Sequence, residues 1–340
     1  MSLTIRNNEP MKQYTTLQVG GDAQYFVDVD SEASLDEAVG YAHTNNLPVT
    51  VIGGGSNVLI SEKGIQGLVI HMAIADLQTE VTEDKVLVTA SAGMLLDEVI
   101  GHTTEHGYWG LENLSHIPGT IGAAPVQNVG AYGVEVQDII ESVRVYNIEE
   151  RRFEMLTVPE CDFGYRDSVF KKSEGEKYIV VAVTFRLTTE ATPKLSYKDL
   201  KNRFTDTQPT LLEIRQAVIE IRAGKFPDWK TVGTAGSFFK NPVLSRAKFE
   251  ELATQYPDLP GFYVGDTHVK IPLGWILDKV LHLKGGGNEK VGTYQEQALV
   301  LINKGDASAE DITEFADTIV QKVYDVTGIE VQWEVTKIGL

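Results

Sequence analysis

The stretch "TVIGGGSNVLIS", Thr50 to Ser61, sets three glycines and a Ser-Asn pair between two apolar runs. Backbone without Cβ atoms lets a ligand come close, and successive N–H groups in such a turn make a nest for a phosphate. Ser56 and Asn57 add side-chain donors. Gly53 and Gly55 also fit the first two glycines of the dinucleotide turn G-x-G-x-x-G, but the last position is Val58. That turn needs a helix N-terminus under the pyrophosphate, whereas "NVLIS" is apolar and β-prone. A glycine-rich loop between two strands is expected instead, either as a phosphate nest or as a tight structural turn. A second stretch, "HIPGTIGAAPVQNVGAYGVE", carries no charge from Ile117 to Val134. It is too rich in glycine and proline for a helix and too long for a simple turn. Loops of small apolar residues suit the close approach of a flat aromatic ring. The two together imply a long ligand with phosphates at one end and a ring at the other.

The elements that must position these loops interleave along the chain. "QYFVDV" and "LPVTVIG" read as strands, joined by a helix over "SLDEAVGYAHTNN" with Ser34 and Glu37 in capping-box spacing. "GLVIHM", "KVLVTASAG", "SVRVYNI", "RRFEMLTV" and "KYIVVAVTFRL" are further strands. Several leave no room for a helix between them, so this part is antiparallel or mixed. After Pro209 helices prevail, first at "TLLEIRQAVIEIRAG" with Thr210 and Glu213 as its capping pair, then at "SRAKFEELATQY", "GWILDKVLHL" and "SAEDITEFADTIVQKVYDVTG". The last segment, "IEVQWEVTKIG", alternates as a strand, with Ile329, Val331, Trp333 and Val335 on one face.

The 340 residues suffice for two or three domains, and 42% hydrophobic and 23% charged residues are ordinary for a soluble globular protein. A net charge of −18 argues against a nucleic-acid partner, which needs a basic face. A few local cations can still define a pocket for a small anion. Cys161 is the only cysteine, and the polar N-terminus lacks the apolar core of a signal peptide, so a cytoplasmic protein is expected. Nothing points to a membrane or to a bound metal.

With "GGGSN" and "IPGTIGAAPVQNVGAYG", the stretches "GYRDS", "GTAGSFFKNP" and a terminal "EV..IG" run in one order from Gly53 to Gly339. This ordered set resembles the UDP-N-acetylenolpyruvoylglucosamine reductase family, the flavoenzymes that complete UDP-N-acetylmuramic acid for the bacterial cell wall. The resemblance implies an α+β fold with a vanillyl-alcohol-oxidase-type FAD domain of two subdomains, 1–73 with 329–340 and 74–224. A smaller α/β substrate-binding domain at 225–328 completes it. It implies non-covalent FAD, NADPH as co-substrate and a monomer. Gly53, Gly54, Gly55, Ser56 and Asn57 would hold the pyrophosphate, and Ile117, Pro118, Gly119, Thr120, Gly122 and Ala123 would line the flavin.

The same resemblance implies a division of labour at the enolpyruvyl group. Hydride addition to C3 leaves negative charge on C2 and its carboxylate. Arg166 would stabilise it with a planar fork that keeps its charge. Glu334 would help if protonated, and Ser237 would deliver the proton to C2. Tyr197, Lys225 and Asn241 would take the substrate diphosphate, with Lys284 and Gln297 as further candidates and Tyr132 and Tyr165 closing the pocket. Tyr263, with Tyr256 as the alternative, would sit on a lid loop. The family pattern around the glutamate is "EPEVRFIG", where this chain has "QWEVTKIG". Two other functions compete: an oxygen-using oxidase on the same flavin domain, and a nucleotide-sugar-binding protein without catalysis.

Overall fold

The computed structural model describes residues 3–83, 85–205 and 207–339. The chain divides into two units, one of Met1–Glu9, Ala23–Gly55 and Ile65–Ala223, the other of Pro10–Asp22, Ser56–Gly64 and Gly224–Leu340.

The first unit holds two sheets. One has four strands in the order Arg6–Pro10, Asp22–Val29, Ile65–Met72, Val49–Ile52. Strands Asp22–Val29 and Val49–Ile52 both pair in parallel with Ile65–Met72. Their connection is the helix Glu32–Thr44, whose Leu35, Ala38, Val39 and Ala42 pack on Val27, Val29, Leu68 and Ile70. The cap of this helix is not the Ser34–Glu37 pair that spacing suggests. Ser31 is the N-cap and Ser34 takes the reciprocating third position, its hydroxyl accepting from the Ser31 N–H at 3.0 Å. The box therefore closes three residues earlier, because a serine can fill the role usually given to glutamate.

The other sheet is antiparallel, in the order Arg152–Thr157, Ile140–Asn147, Tyr178–Leu187, Val86–Ser91, Leu77–Val81. Its β-branched residues, among them Val88, Val143, Val145 and Val183, meet Leu96, Val99 and Ile100 of the helix Leu96–Glu105 in one core. The helix Leu211–Ala223 carries the expected cap, with Thr210 N–H donating to Glu213 Oε2 at 2.7 Å and Glu213 N–H to Thr210 Oγ1 at 3.3 Å. The loop read as free of helix contains one helical turn, Ala123–Val126.

The second unit builds its core on Phe238, Phe239, Leu273, Ile276, Ile312, Ile319 and Val323. Gly233–Ser237 and Val291–Thr293 flank Val300–Asn303 in an antiparallel sheet. The helix Ala309–Thr327 starts on the Ser308–Asp311 box and stops at left-handed Gly328. "GWILDKVLHL" is shorter than a regular α-helix would make it, a turn at Leu273–Trp275 running into π-helix at Ile276–Val280. The terminal alternation holds for Ile329, Val331 and Val335, all buried, but the regular strand is only Thr336–Ile338. It pairs in parallel with Val58–Ile60, the strand that follows the triple glycine where a dinucleotide turn would have a helix.

Candidate active site

The two glycine loops meet inside the first unit. A Cβ on Gly53 would lie 2.2 Å from Thr120 Oγ1, and one on Gly54 would lie 3.2 Å from the Gly119 Cα. Gly55 turns left-handed at φ 58° and Gly119 at φ 123°, and the loops close with the Thr120 side chain over Gly53 and the Gly119 backbone over Gly54. Met94 and Ala92 pin the second loop, their carbonyls accepting from the Ile121 and Gly122 N–H groups at 2.9 Å each. Thr120 is buried, yet its hydroxyl has no partner among the described residues. A buried hydroxyl without a partner is costly and calls for an explanation. A phosphate or ribose oxygen brought against it would satisfy it, and the missing Cβ of Gly53 is what lets this side chain close on the first loop. Ile117 and Pro118, half-buried beside it, offer the flat apolar surface a flavin ring needs. The residues present therefore fit FAD.

Ion pairs brace the entrance to this loop. Asp97 accepts from the His116 N–H at 2.6 Å and from Arg215 at 2.7 Å, while Arg215 also donates to Ser115 Oγ at 3.0 Å. Burial alone would raise the Asp97 carboxyl, but these bonds outweigh it and hold it below the usual carboxylate range. Arg222 Nε donates to the His116 carbonyl at 2.9 Å, and its guanidinium also bonds the Tyr132 hydroxyl. Burial pushes that phenol up to about 12. The Tyr132 ring meets Tyr197 edge-on at 5.1 Å. Asn113, fully buried, ties both tyrosine segments together by donating to the Tyr132 and Lys194 carbonyls at 2.8 Å each.

Arg166 sits at φ 55° in a turn closed by mutual hydrogen bonds between Gly164 and Asp167. Its Nη2 donates to the Gly130 carbonyl at 2.6 Å and its Nη1 to the Asn128 carbonyl at 3.4 Å. The guanidinium carbon lies 5.3 Å from the centre of the Tyr165 ring. The first unit thus brings Arg166 to residues 128 and 130 of the apolar loop, close along the chain to Tyr132, which Tyr197 packs against.

In the second unit Ser237 ends the strand Gly233–Ser237, half-buried, after Gly236 at φ 71°. Its neighbour Phe238 accepts the Glu334 N–H at 2.9 Å, and Phe239 bridges Trp333, so Ser237 and Glu334 sit on adjacent extended segments. Asn57 holds the same place from a third side: its Nδ2 donates to the Glu334 carbonyl at 3.1 Å and its own carbonyl accepts from Thr336 at 3.0 Å. Ser56 is half-buried beside it. Asn241 Oδ1 accepts from the Leu273 N–H at 3.0 Å, and Gln297 Oε1 from the Leu299 N–H at 3.3 Å. Lys225 is half-buried and Lys284 exposed. Tyr263 is 62% exposed on the strand Phe262–Val264, whereas Tyr256 packs against the core.

An FAD binding domain model matches residues 23–151, and a model of the C-terminal domain of UDP-N-acetylenolpyruvoylglucosamine reductase matches residues 228–338. The UDP-N-acetylenolpyruvoylglucosamine reductase of Bdellovibrio bacteriovorus is 37% identical over 335 residues, which cover 98% of this chain and 99% of the relative. The chain belongs to the UDP-N-acetylenolpyruvoylglucosamine reductase family. The reductase of Flavobacterium johnsoniae is 35% identical over 344 residues, covering 99% of this chain and all of that protein. The crystal structure of the reductase from Thermus caldophilus superposes with a TM-score of 0.70 at 24% identity, over 99% of both chains, and shares the fold. The reductase family accounts for the α+β architecture with an FAD domain and makes the chain an FAD oxidoreductase. Among the described residues no helix is long and apolar enough to cross a membrane, and no three metal-binding side chains cluster.

Sequence reasoning alone missed Asn113, Asn128, Glu135 and Arg222. Arg222 resembles a solvated residue at a helix end; only its inward neighbours Ile214, Ala217, Val218 and Ile221 hint that this helix face is buried.

Proposed function

We propose that this protein reduces UDP-N-acetylglucosamine enolpyruvate to UDP-N-acetylmuramate, a step of peptidoglycan synthesis, with NADPH as the reductant and non-covalent FAD. Bound FAD would supply the two-electron redox chemistry that links NADPH to C3 of the enolpyruvyl group. Gly53, Gly54, Gly55, Ser56 and Asn57 would hold its pyrophosphate, and Ile117, Pro118, Gly119, Thr120, Gly122 and Ala123 would line its flavin, with the Thr120 hydroxyl also in place for a phosphate or ribose oxygen. Arg166 presents its fork to the substrate carboxylate and stabilises the charge that develops there. Glu334, protonated, donates a hydrogen bond to the same charge; this requires a raised pKa. Ser237 delivers its hydroxyl proton to C2. A positioned donor of this kind contributes about 3–4 kcal/mol, and a positioned acid roughly 10²–10⁴-fold in rate. Tyr197, Lys225 and Asn241 bind the diphosphate, and exposed Tyr263 closes over the substrate.

One observation carries the reading most: the backbone bond from Glu334 to Phe238, which sets the two acids of the scheme, Ser237 and Glu334, on adjacent segments. The test is anaerobic mixing with NADPH and then with the enolpyruvyl UDP-sugar, followed by flavin absorbance. Bleaching and then colour recovery are expected. Ser237→Ala should bleach normally and recover about 10²–10⁴-fold more slowly; recovery at the wild-type rate would remove Ser237 from its role.

A further inference from the structure

Arg166 is held on more than its own turn. Beside the Gly130 and Asn128 carbonyls, the Glu135 carboxylate stands 4.0 Å from its Nη1. Gly130 makes this proximity possible. A Cβ there would lie 2.7 Å from Glu135 Cγ and 3.0 Å from Arg166 Nη1, so stem and guanidinium share the space above one glycine. The other carboxylate oxygen is fixed separately, accepting from Asn128 Nδ2 at 3.1 Å and from Gln137 Nε2 at 2.8 Å. Asn128 is fully buried and left-handed at φ 40°, and it also donates to the Gly164 carbonyl at 2.8 Å. One side chain thus ties the carboxylate to the turn that carries the arginine.

The separation matters chemically. A carboxylate beside a half-buried guanidinium lowers the cost of keeping that charge out of water. A bidentate partner at hydrogen-bond distance would occupy the fork that an incoming carboxylate must use. At 4.0 Å, with Oε2 held by Asn128 and Gln137, Glu135 sets a negative charge beside Arg166 without itself taking a hydrogen bond from Nη1. The geometry points to Glu135 as the positioning residue of Arg166, serving the second half-reaction only. This rests on the reading of Arg166 given above.

The test compares Glu135→Gln, Glu135→Ala and Arg166→Ala in the full-length, FAD-loaded protein. Glutamine keeps an acceptor for Asn128 and Gln137 and removes only the charge. Both Glu135 variants are expected to keep the wild-type flavin spectrum and rate of bleaching by NADPH. Recovery with the enolpyruvyl substrate should slow roughly ten- to hundredfold, mainly in maximal rate rather than half-saturation. Glu135→Gln in an Arg166→Ala background should add nothing further, because the two act as one unit. Wild-type recovery in Glu135→Gln, or equal slowing of both half-reactions, would overturn the inference. Unimpaired recovery in Arg166→Ala would instead sink the underlying reading, so the two failures are told apart. If Glu135→Ala does not fold, the glutamine variant alone decides.

Discussion

Replacing Thr120 by valine separates what the fold needs from what a ligand needs. The hydroxyl is buried and without a partner among the described residues, and it faces the Cβ-free backbone of Gly53. Leaving such a group unsatisfied costs about 1–3 kcal/mol. Exchanging it for a methyl should stabilise the FAD-free protein by up to that amount, less what is lost by fitting a larger group against Gly53. For a chain of this size, about 1 kcal/mol moves the melting temperature by roughly 1–2 °C. FAD binding should change in the other direction. A hydrogen bond to a charged group contributes about 1.5–3 kcal/mol, so the valine variant should bind FAD roughly ten- to a hundredfold more weakly. Thr120→Ser, which keeps the hydroxyl, should stay close to wild type in affinity. Thermal melts with and without FAD, and titration by quenching of flavin fluorescence, read both quantities. A valine variant with wild-type FAD affinity would refute the argument that the two glycine loops cradle the cofactor through this hydroxyl.

Tyr132 should also shape the alkaline limit of stability. Burial raises its folded pKa to about 12, above the roughly 10 of an unfolded tyrosine. The neutral phenol therefore contributes stability that is complete below about pH 10 and is lost as pH rises through about 12. Melting temperatures measured across that window should fall less steeply for Tyr132→Phe than for wild type; parallel curves would show that Tyr132 does not titrate there. Cys161 is fully buried, and burial pushes its thiol up to about 12. Because the thiolate is the nucleophile, an aromatic disulfide reagent should fail to label it in the folded protein and react once urea unfolds the chain; prompt labelling of the native state would contradict this burial.

What the sequence makes legible depends on range. Strands such as Tyr178–Leu187 and Val86–Ser91 carry their own β-branched signal, and the absence of a helix after Gly55 follows from "NVLIS" alone. The triple glycine was readable as a place needing bare backbone, but not the reason: the opposing atom at 2.2 Å belongs to Thr120, in a loop remote along the chain. Arg222 and Asn128 were illegible for the same cause. Each is an ordinary polar residue until folding sets the His116 carbonyl against one and Gly164 and Glu135 against the other. The misplaced cap at Ser31 is a local miss of a different kind. Ser34 fits both the first and the fourth position of a capping box, and periodicity does not choose between them.

The segment around Glu334 departs from the family pattern, yet its backbone is held at several points. Proline and arginine give way here to a tryptophan and a threonine-lysine pair, yet the backbone bond from Glu334 to Phe238 and the Asn57 bond to its carbonyl are both present. Trp333 explains the tolerance. Its ring packs edge-on against Phe238 at 4.7 Å and Phe239 at 6.5 Å, and Lys337 Nζ sits 3.7 Å above it. Aromatic pairs contribute about 0.5–1.5 kcal/mol beyond burial, and an exposed cation over an indole about 0.5–1 kcal/mol. These contacts fix the register of residues 332–334 from the apolar side. The backbone at Glu334 is thus set by the packing of its neighbours.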